Sequence, residues 1–318
     1  MAEANRKTTY DSPVNREDLV DIVYNVDPWE APFITRIPST SATNRTHDWP
    51  IDVLRAPNSS NAQLEGDDAT INASTNPTRA TNECQILTEN TMVSGTQEYV
   101  IQAGVDDEVD YQLVKKTKEL RTDLETITLG NQARNAGNKA TTARTLASVQ
   151  SWIATNYTQA TGATGGSAPA GDGSNTRTAA TTNGVIVETD FQGAASQCWN
   201  EGGNPDSVIL GSTLKTKFST FTGNATRFKG AEDKQLVAAI DIYDGDFGEY
   251  EIIADRFAAA DYVFLCETEM WALAELRPLY SEPLAKTGDA EKWQLIWECT
   301  LEARNQKSSG CVADANAA

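Results

Sequence analysis

Residues 105–135 read VDDEVDYQLVKKTKELRTDLETITLGNQARN. Val105, Val109, Leu113, Lys116/Thr117, Leu120, Leu124 and Ile127 recur at the spacing of one helix face, which predicts a single amphipathic helix from Val105 to about Asn135. Asp106, Asp107, Glu108 and Asp110 crowd its first turns, where negative charge meets the positive end of the helix dipole. Lys115, Lys116, Lys118 and Arg121 follow one turn on, partly as i,i+4 partners of those acids. Gly130 and Gly137 mark where the helix frays. Thirty residues at 1.5 Å each make a rod of about 45 Å, long for an ordinary globular core.

On the N-terminal side of this rod the chain has little from which to build a core. Residues 1–45 read as an arm, polar to Pro13, with a short apolar stretch at Leu19, Val20, Ile22 and Val23. Pro28 and Pro32 in the segment Asp27 to Phe33 are expected to hold the backbone extended or turning. Trp29, Phe33, Ile34 and Ile37 then serve as anchors pressed into another surface. From Thr46 to Val100 the pattern becomes β, with partial alternation in His47–Leu54 and again from Gln85 to Val100. The polar tract between them, Arg55 to Glu83, carries Pro57, Gly66 and Pro77 and too few apolar side chains for a core. The reading is a two-stranded β arm that needs a neighbour to lie on.

On the C-terminal side, Tyr157 to Gly184 is dominated by Thr, Ala, Gly, Ser and Asn and reads as a surface loop. An α/β passage follows: a helix capped by Thr189 or Asp190 and ended by Gly202-Gly203, a strand at Ser207–Leu210, and a second helix from Leu214 to Phe221. Val237–Tyr243 and Phe247–Ile253 flank Asp244-Gly245 as a hairpin. Strands are expected at Asp261–Cys266, Met270–Leu276 and Trp293–Leu301, the last with Trp293, Leu295, Trp297, Cys299 and Leu301 on one face and a polar, acidic face opposite.

Composition removes several classes of function. The net charge of −19 opposes sequence-independent binding of nucleic acid over the whole surface. The sole histidine, His47, leaves little room for imidazole catalysis or a multi-histidine metal site, and its Thr-His-Asp-Trp setting reads as structural. No apolar run approaches a membrane span and the first residues lack a signal-peptide core, so a soluble, cytoplasmic start is expected. The five cysteines, Cys84, Cys198, Cys266, Cys299 and Cys311, are odd in number and widely spaced, the pattern of reduced thiols. There is no GxSxG elbow, GxxxxGK[ST] loop or HExxH helix. The carboxylates Asp244, Asp246, Glu249 and Glu251 read as solvated hairpin residues, since Tyr243 stands where a calcium loop needs an oxygen ligand. No catalytic residue, cofactor site or metal site is expected.

An arm, a coreless β excursion, a long rod, an α/β lobe and a long final strand describe a subunit that buries its extensions on neighbours. In this order the parts resemble the major capsid proteins of tailed bacteriophages with the Hong Kong 97-type (HK-97-like) fold, an α+β fold. The residues that carry the resemblance are Pro28-Trp29-Glu30-Ala31-Pro32-Phe33, Thr43-Asn44-Arg45-Thr46-His47-Asp48-Trp49, Val237 to Gly248, Ala285-Lys286-Thr287-Gly288-Asp289 and Glu298-Cys299-Thr300-Leu301-Glu302. The loop at 157–184 has no counterpart in it and looks like an insertion.

The resemblance implies an N-terminal arm at 1–45, an extended β E-loop at 46–100, a peripheral domain with the spine helix at 101–139, a mainly axial domain at 140–265, and a return to the peripheral domain with a tail at 266–318. It implies self-assembly into pentamers and hexamers of an icosahedral shell that encloses double-stranded DNA without reading its sequence. The partners implied are further copies of the chain, a portal, and separate scaffolding and decoration proteins, with no membrane. The place is the virion, after assembly in the bacterial host's cytoplasm. Trp29 and Phe33 are the expected arm contacts, Arg55 and Arg79 the E-loop's partners for a neighbour's acids, and Lys286 the contact at the Ala-Lys-Thr-Gly-Asp turn. Thr46–Val100 contains no lysine, so the isopeptide cross-link of some relatives is not expected. Two other readings stand beside this one: an encapsulin-like cellular nanocompartment shell, and an acidic glycan hydrolase with paired carboxylates.

Overall fold

The computed structural model describes residues 30–66, 68, 74, 76–221 and 241–317. In chain order it has α1 (Pro32–Arg36), β1 (Ser39–Ser41), β2 (Thr46–Ile51), β3 (Thr78–Glu83), β4 (Gln85–Ser94), α2 (Gly95–Tyr99), α3 (Glu108–Leu129) and α4 (Val149–Trp152). Then come β5 (Tyr157–Gln159), β6 (Gly184–Val185), α5 (Glu188–Asn200), β7 (Ser207–Leu210), α6 (Ser212–Phe218), β8 (Ile242–Gly245), β9 (Gly248–Ala254) and β10 (Tyr262–Cys266). The last strands are β11 (Trp271–Pro283), β12 (Ala290–Ala303), β13 (Gly310–Ala313) and β14 (Ala315–Asn316). No described helix is long and apolar enough to cross a membrane.

The rod is α3, shorter than its sequence pattern suggests. The Asp107 carboxylate takes the Asp110 N–H at 2.9 Å and starts the helix there, leaving Val105 and Asp106 outside. Beyond Gly130 the backbone turns away: the Gln132 N–H goes to Ser148 Oγ at 2.9 Å and its side-chain amide to Leu146 O at 2.8 Å. At 22 residues the rod spans about 33 Å. Its buried face carries Val109, Leu120, Leu124 and Leu129. They pack on a four-stranded sheet ordered β1-β11-β12-β4.

A six-stranded sheet ordered β5-β13-β10-β7-β9-β8 divides two hydrophobic cores. Alternate residues of β7 and β10 serve opposite sides. Ile209, Tyr262, Phe264 and Cys266 join the core shared with α1, α3 and β12, whereas Val208, Leu210, Val263 and Leu265 join the core of α5 and α6. Burial on both faces explains the unbroken apolar runs Val208–Leu210 and Tyr262–Cys266.

Several sequence expectations change. Pro32 opens α1 instead of blocking a helix, because the first helical position needs no N–H. Phe33 is fully buried inside its own chain, edge-on to Phe264 at 5.7 Å and Trp271 at 6.5 Å, so its ring has no surface left for a neighbour. The partner of β2 is β3, from Thr46↔Glu83 to Ile51↔Thr78, while Gln85–Ser94 is β4 and pairs with β12. The coreless excursion is therefore confined to Asp52–Pro77.

The hairpin β8–β9 turns at Asp246-Phe247, with Gly245 paired to Gly248, so Asp244-Gly245 lies in the strand. In α5, Asp190 sits one turn in and its carboxylate accepts the Val187 N–H at 3.2 Å and the Thr161 N–H at 3.0 Å. Residues 157–184 include β5 and two cross-bridges, Thr164↔Thr182 and Ser167↔Thr178. Within 266–318, β11 and β12 lie in the four-stranded sheet, whereas β13 pairs with β10 and β5 in the six-stranded sheet. The polar face of β12 is buried too at Glu298, Thr300 and Glu302, where Glu298 is held by Arg144 at 2.6 Å and Arg277 at 2.7 Å.

Candidate functional site

Every described residue from Asp52 to Pro77 is exposed. Leu54 at 99% and Leu64 at 79% stand fully in solvent, an arrangement that costs free energy until something covers them. The excursion is polar and punctuated by turn residues, and it projects from the pairing of β2 with β3.

The base of this arm is fixed firmly. The Trp49 indole donates to Ala303 O at 2.9 Å and its ring lies 5.5 Å from Trp152. His47 Nε2 meets Glu302 Oε2 at 3.2 Å. The Glu302 carboxyl sits below its ordinary range, first because of the His47 hydrogen bond, then, against burial, because of Arg304. Asn82 of β3 donates to Leu301 O at 2.7 Å and accepts the Ala147 N–H at 2.8 Å. These bonds tie the root into the sheet, while the described residues beyond it are uncovered.

The expected contact residues are not brought together. Trp29 lies outside the described residues, and Phe33 is in the core. Arg55 is exposed on the arm and bonds Ala56 O at 3.1 Å. Arg79, 74% exposed, reaches Asp48 across the hairpin at 3.5 Å. Lys286 stands at the β11–β12 turn, paired to Glu291 at 2.7 Å.

Sequence reading missed three features. Arg177, inside the Thr/Ala/Gly-rich tract, is buried and paired with Asp314 and Asp261 at 2.7 Å each. Glu125, on the buried face of α3, accepts the Phe33 and Ile34 N–H groups at 2.7 and 3.0 Å beside the buried Asp255. Arg45, Lys139 and Arg144 line one cleft. Only Arg177, a lone charge in a neutral stretch, gave a local hint; nothing local hinted at Glu125 or the cleft.

Several groups of types used in catalysis are buried or held in ion pairs. All five cysteines are buried free thiols. Burial pushes Cys84 up to about 11 and Cys198 and Cys311 up to about 12, so little thiolate forms near neutrality. Glu251, one of the hairpin carboxylates, is clasped by Arg36 through two 2.7 Å bonds. Among the described residues no group of His, Cys, Asp and Glu is arranged to hold a metal ion.

Comparison with known proteins agrees with a surface built for association. The family model described as SU10 major capsid protein matches residues 4–316. The major capsid protein of Escherichia phage Phieco32 is 26% identical over 343 residues, covering 98% of this chain and 97% of that one. Among solved structures, one from Microbacterium phage Oxtober96 superposes with a TM-score of 0.64 at 10% identity, covering 96% of this chain and 98% of that one. The capsid of a native GTA particle superposes with a TM-score of 0.62 at 11% identity, covering 97% and 98%. A phage G structure of major capsid and decoration proteins superposes with a TM-score of 0.53 at 11% identity, covering 98% and 99%.

Proposed function

Because the chain belongs to the SU10 major capsid protein family and carries the Hong Kong 97-type fold, it is a phage major capsid protein, and we propose how its parts divide the work of building an icosahedral shell. The exposed excursion Asp52–Pro77 is the E-loop and lies across the adjacent subunit. The layer of α3, β11 and β12 is the peripheral domain, and the six-stranded lobe with α5 and α6 is the axial domain that meets its copies around the five-fold and six-fold centres. Residues 1–45 act as the N-terminal arm.

The observation that carries this reading is the contrast between the arm's fixed root and its uncovered leucines, Leu54 and Leu64. A shell subunit of this kind works by association and performs no catalytic step. The absence of lysine from Thr46–Val100 supports a shell held without covalent links from the E-loop. The portal and separate scaffolding and decoration proteins are the further partners, and assembly takes place in the host cytoplasm. An acidic inner wall, drawn from the −19 net charge, would let packaged DNA slide.

Electron microscopy and sedimentation of the purified protein test the reading. Icosahedral particles or rings of five and six are expected from the full chain. Replacing residues 58–74 by a short Gly-Ser turn should leave a cooperatively melting subunit that no longer closes shells. Normal particles from that variant, or reduction-resistant ladders on denaturing gels of the wild type, would overturn the respective part.

A further inference from the structure

A cleft of about 490 Å³ opens between the start of the arm and the loop that follows the rod. Arg45, just before β2, forms one wall; Ile86 of β4, 46% exposed, lines it alongside; Lys139 and Arg144 come from the opposite loop. No carboxylate lines it, in a chain whose acids outnumber its bases by 45 to 26. Arg144 already holds Glu298 at 2.6 Å, whereas Arg45 and Lys139 make no ion pair among the described residues.

The loop that carries Lys139 is rigid. Gly137, at φ +66°, makes the turn, and the Asn138 side-chain oxygen accepts the N–H groups of Ala140, Thr141 and Thr142 at 3.0, 2.7 and 3.1 Å. A rigid, basic, partly apolar cleft is suited to a short acidic segment with one hydrophobic side chain. The tip of the excursion is such a segment: the sequence Leu64-Glu65-Gly66-Asp67-Asp68 is acidic and begins with an exposed leucine. The β2–β3 pairing starts next to Arg45 and carries the chain's own tip away from it, so the tip that arrives belongs to another copy.

We propose that this cleft is the landing site for the acidic tip Leu64–Asp68 of a neighbouring copy, with Leu64 on Ile86 and the carboxylates facing Arg45 and Lys139. The proposal rests on the reading of Asp52–Pro77 as an intersubunit strap and names where that strap ends. Charge complementarity favours the tip, and the apolar Ile86 favours it over a nucleic-acid phosphate, which would leave that side chain in water.

Two measurements on the full chain test it. Arg45→Glu with Lys139→Glu should raise the concentration needed for shell assembly at least about fivefold, with the melting temperature kept, and Glu65→Lys with Asp68→Lys added to that variant should bring it back. Independently, Leu64→Cys with Lys139→Cys should give disulfide-linked multimers on non-reducing gels of assembled particles, because the five native thiols are buried. Unchanged assembly in the charge-reversed variant, absence of rescue together with absence of cross-links, or loss of DNA retention alone would overturn the proposal. Should the 58–74 replacement abolish shells while these variants behave as wild type, the strap reading survives and this landing site does not.

Discussion

Arg177 Nη1 meets Asp314 Oδ1 at 2.7 Å with both side chains out of solvent, 3% and 0% exposed. The contact ties the loop between β5 and β6 to the turn between β13 and β14, and both side chains make further hydrogen bonds. Asp314 also accepts the Ala180 N–H at 2.9 Å, the Gln159 amide at 3.0 Å and the Tyr157 hydroxyl at 3.1 Å. Arg177 reaches Gln150 through Nε and Asp261 through Nη2, each at 2.7 Å. Burial alone would raise the Asp314 carboxyl, yet these donors together hold it below the usual carboxylate range. Arg177→Ala leaves Asp314 charged and enclosed, so a loss of about 3–5 kcal/mol is expected in denaturant titration. The double variant Arg177→Met with Asp314→Asn should lose less than the single one, because the enclosed charge is gone, an acceptor oxygen stays for the Ala180 N–H, and the partly exposed Asp261 can be hydrated. Equal or greater loss in the double variant would show that the pair contributes by more than mutual neutralisation.

Glu125 and Asp255 predict a pH dependence of opposite origin. Burial first, then the neighbouring Asp255 side chain, which favours the protonated acid, push the Glu125 carboxyl up to about 8, against the Ile34 and Phe33 N–H groups that favour its ionised form. A carboxyl whose folded value lies above its unfolded one stabilises the fold fully below the unfolded value, and that contribution fades as pH rises toward the folded value. Stability should therefore decline between about pH 4.5 and 8, at up to about 1.4 kcal/mol per pH unit from this site. Asp255→Asn removes the like charge and offers an N–H to the ionised Glu125, keeping an oxygen for the Phe257 N–H that Asp255 Oδ1 accepts at 2.8 Å. Thermal melts from pH 5 to 8.5 should be flatter for that variant than for the wild type. An identical slope would exclude this pair as its source.

How far the sequence foretells such contacts depends on whether they are local. The rod's stripe is periodic within one helix, so Val109, Leu120 and Leu124 declare themselves. The capsid resemblance is carried by short contiguous motifs and was readable for the same reason. By contrast, Arg177 lies 137 positions from Asp314, in a tract with no apolar pattern, and looks like any loop cation. Strand β3, Thr-Arg-Ala-Thr-Asn-Glu, lacks β-branched or aromatic alternation, so the stronger pattern from Gln85 onward masks it as the arm's return. Gly245 drew the expected turn toward itself, but the register puts it opposite Gly248, which adopts φ +151° where a side chain would be strained. Glu298, Thr300 and Glu302 looked solvent-facing because burial of a strand's polar face is decided by partners on distant segments, here Arg144 and His47.

Asn82 gives the most exacting test of the arm's root. Its carboxamide is fully buried and joins three segments: Nδ2 donates to Leu301 O of β12 at 2.7 Å and to Ala147 O at 3.3 Å, while Oδ1 accepts the Ala147 N–H at 2.8 Å. Asn82→Ala would take the amide from those three backbone groups, each costing about 1–3 kcal/mol if left unsatisfied, so a total loss of at least about 3 kcal/mol is expected. Asn82→Asp keeps the acceptor but turns the donor into a charge facing two carbonyl oxygens, and should be at least as harmful above neutral pH. Because the same amide holds β3 to the layer beneath, hydrogen exchange at Thr46–Ile51 and Thr78–Glu83 should accelerate in both variants, with β7 and β10 unchanged. Uniform acceleration across all strands would instead mean that the whole subunit, and not the strap's root, depends on this residue.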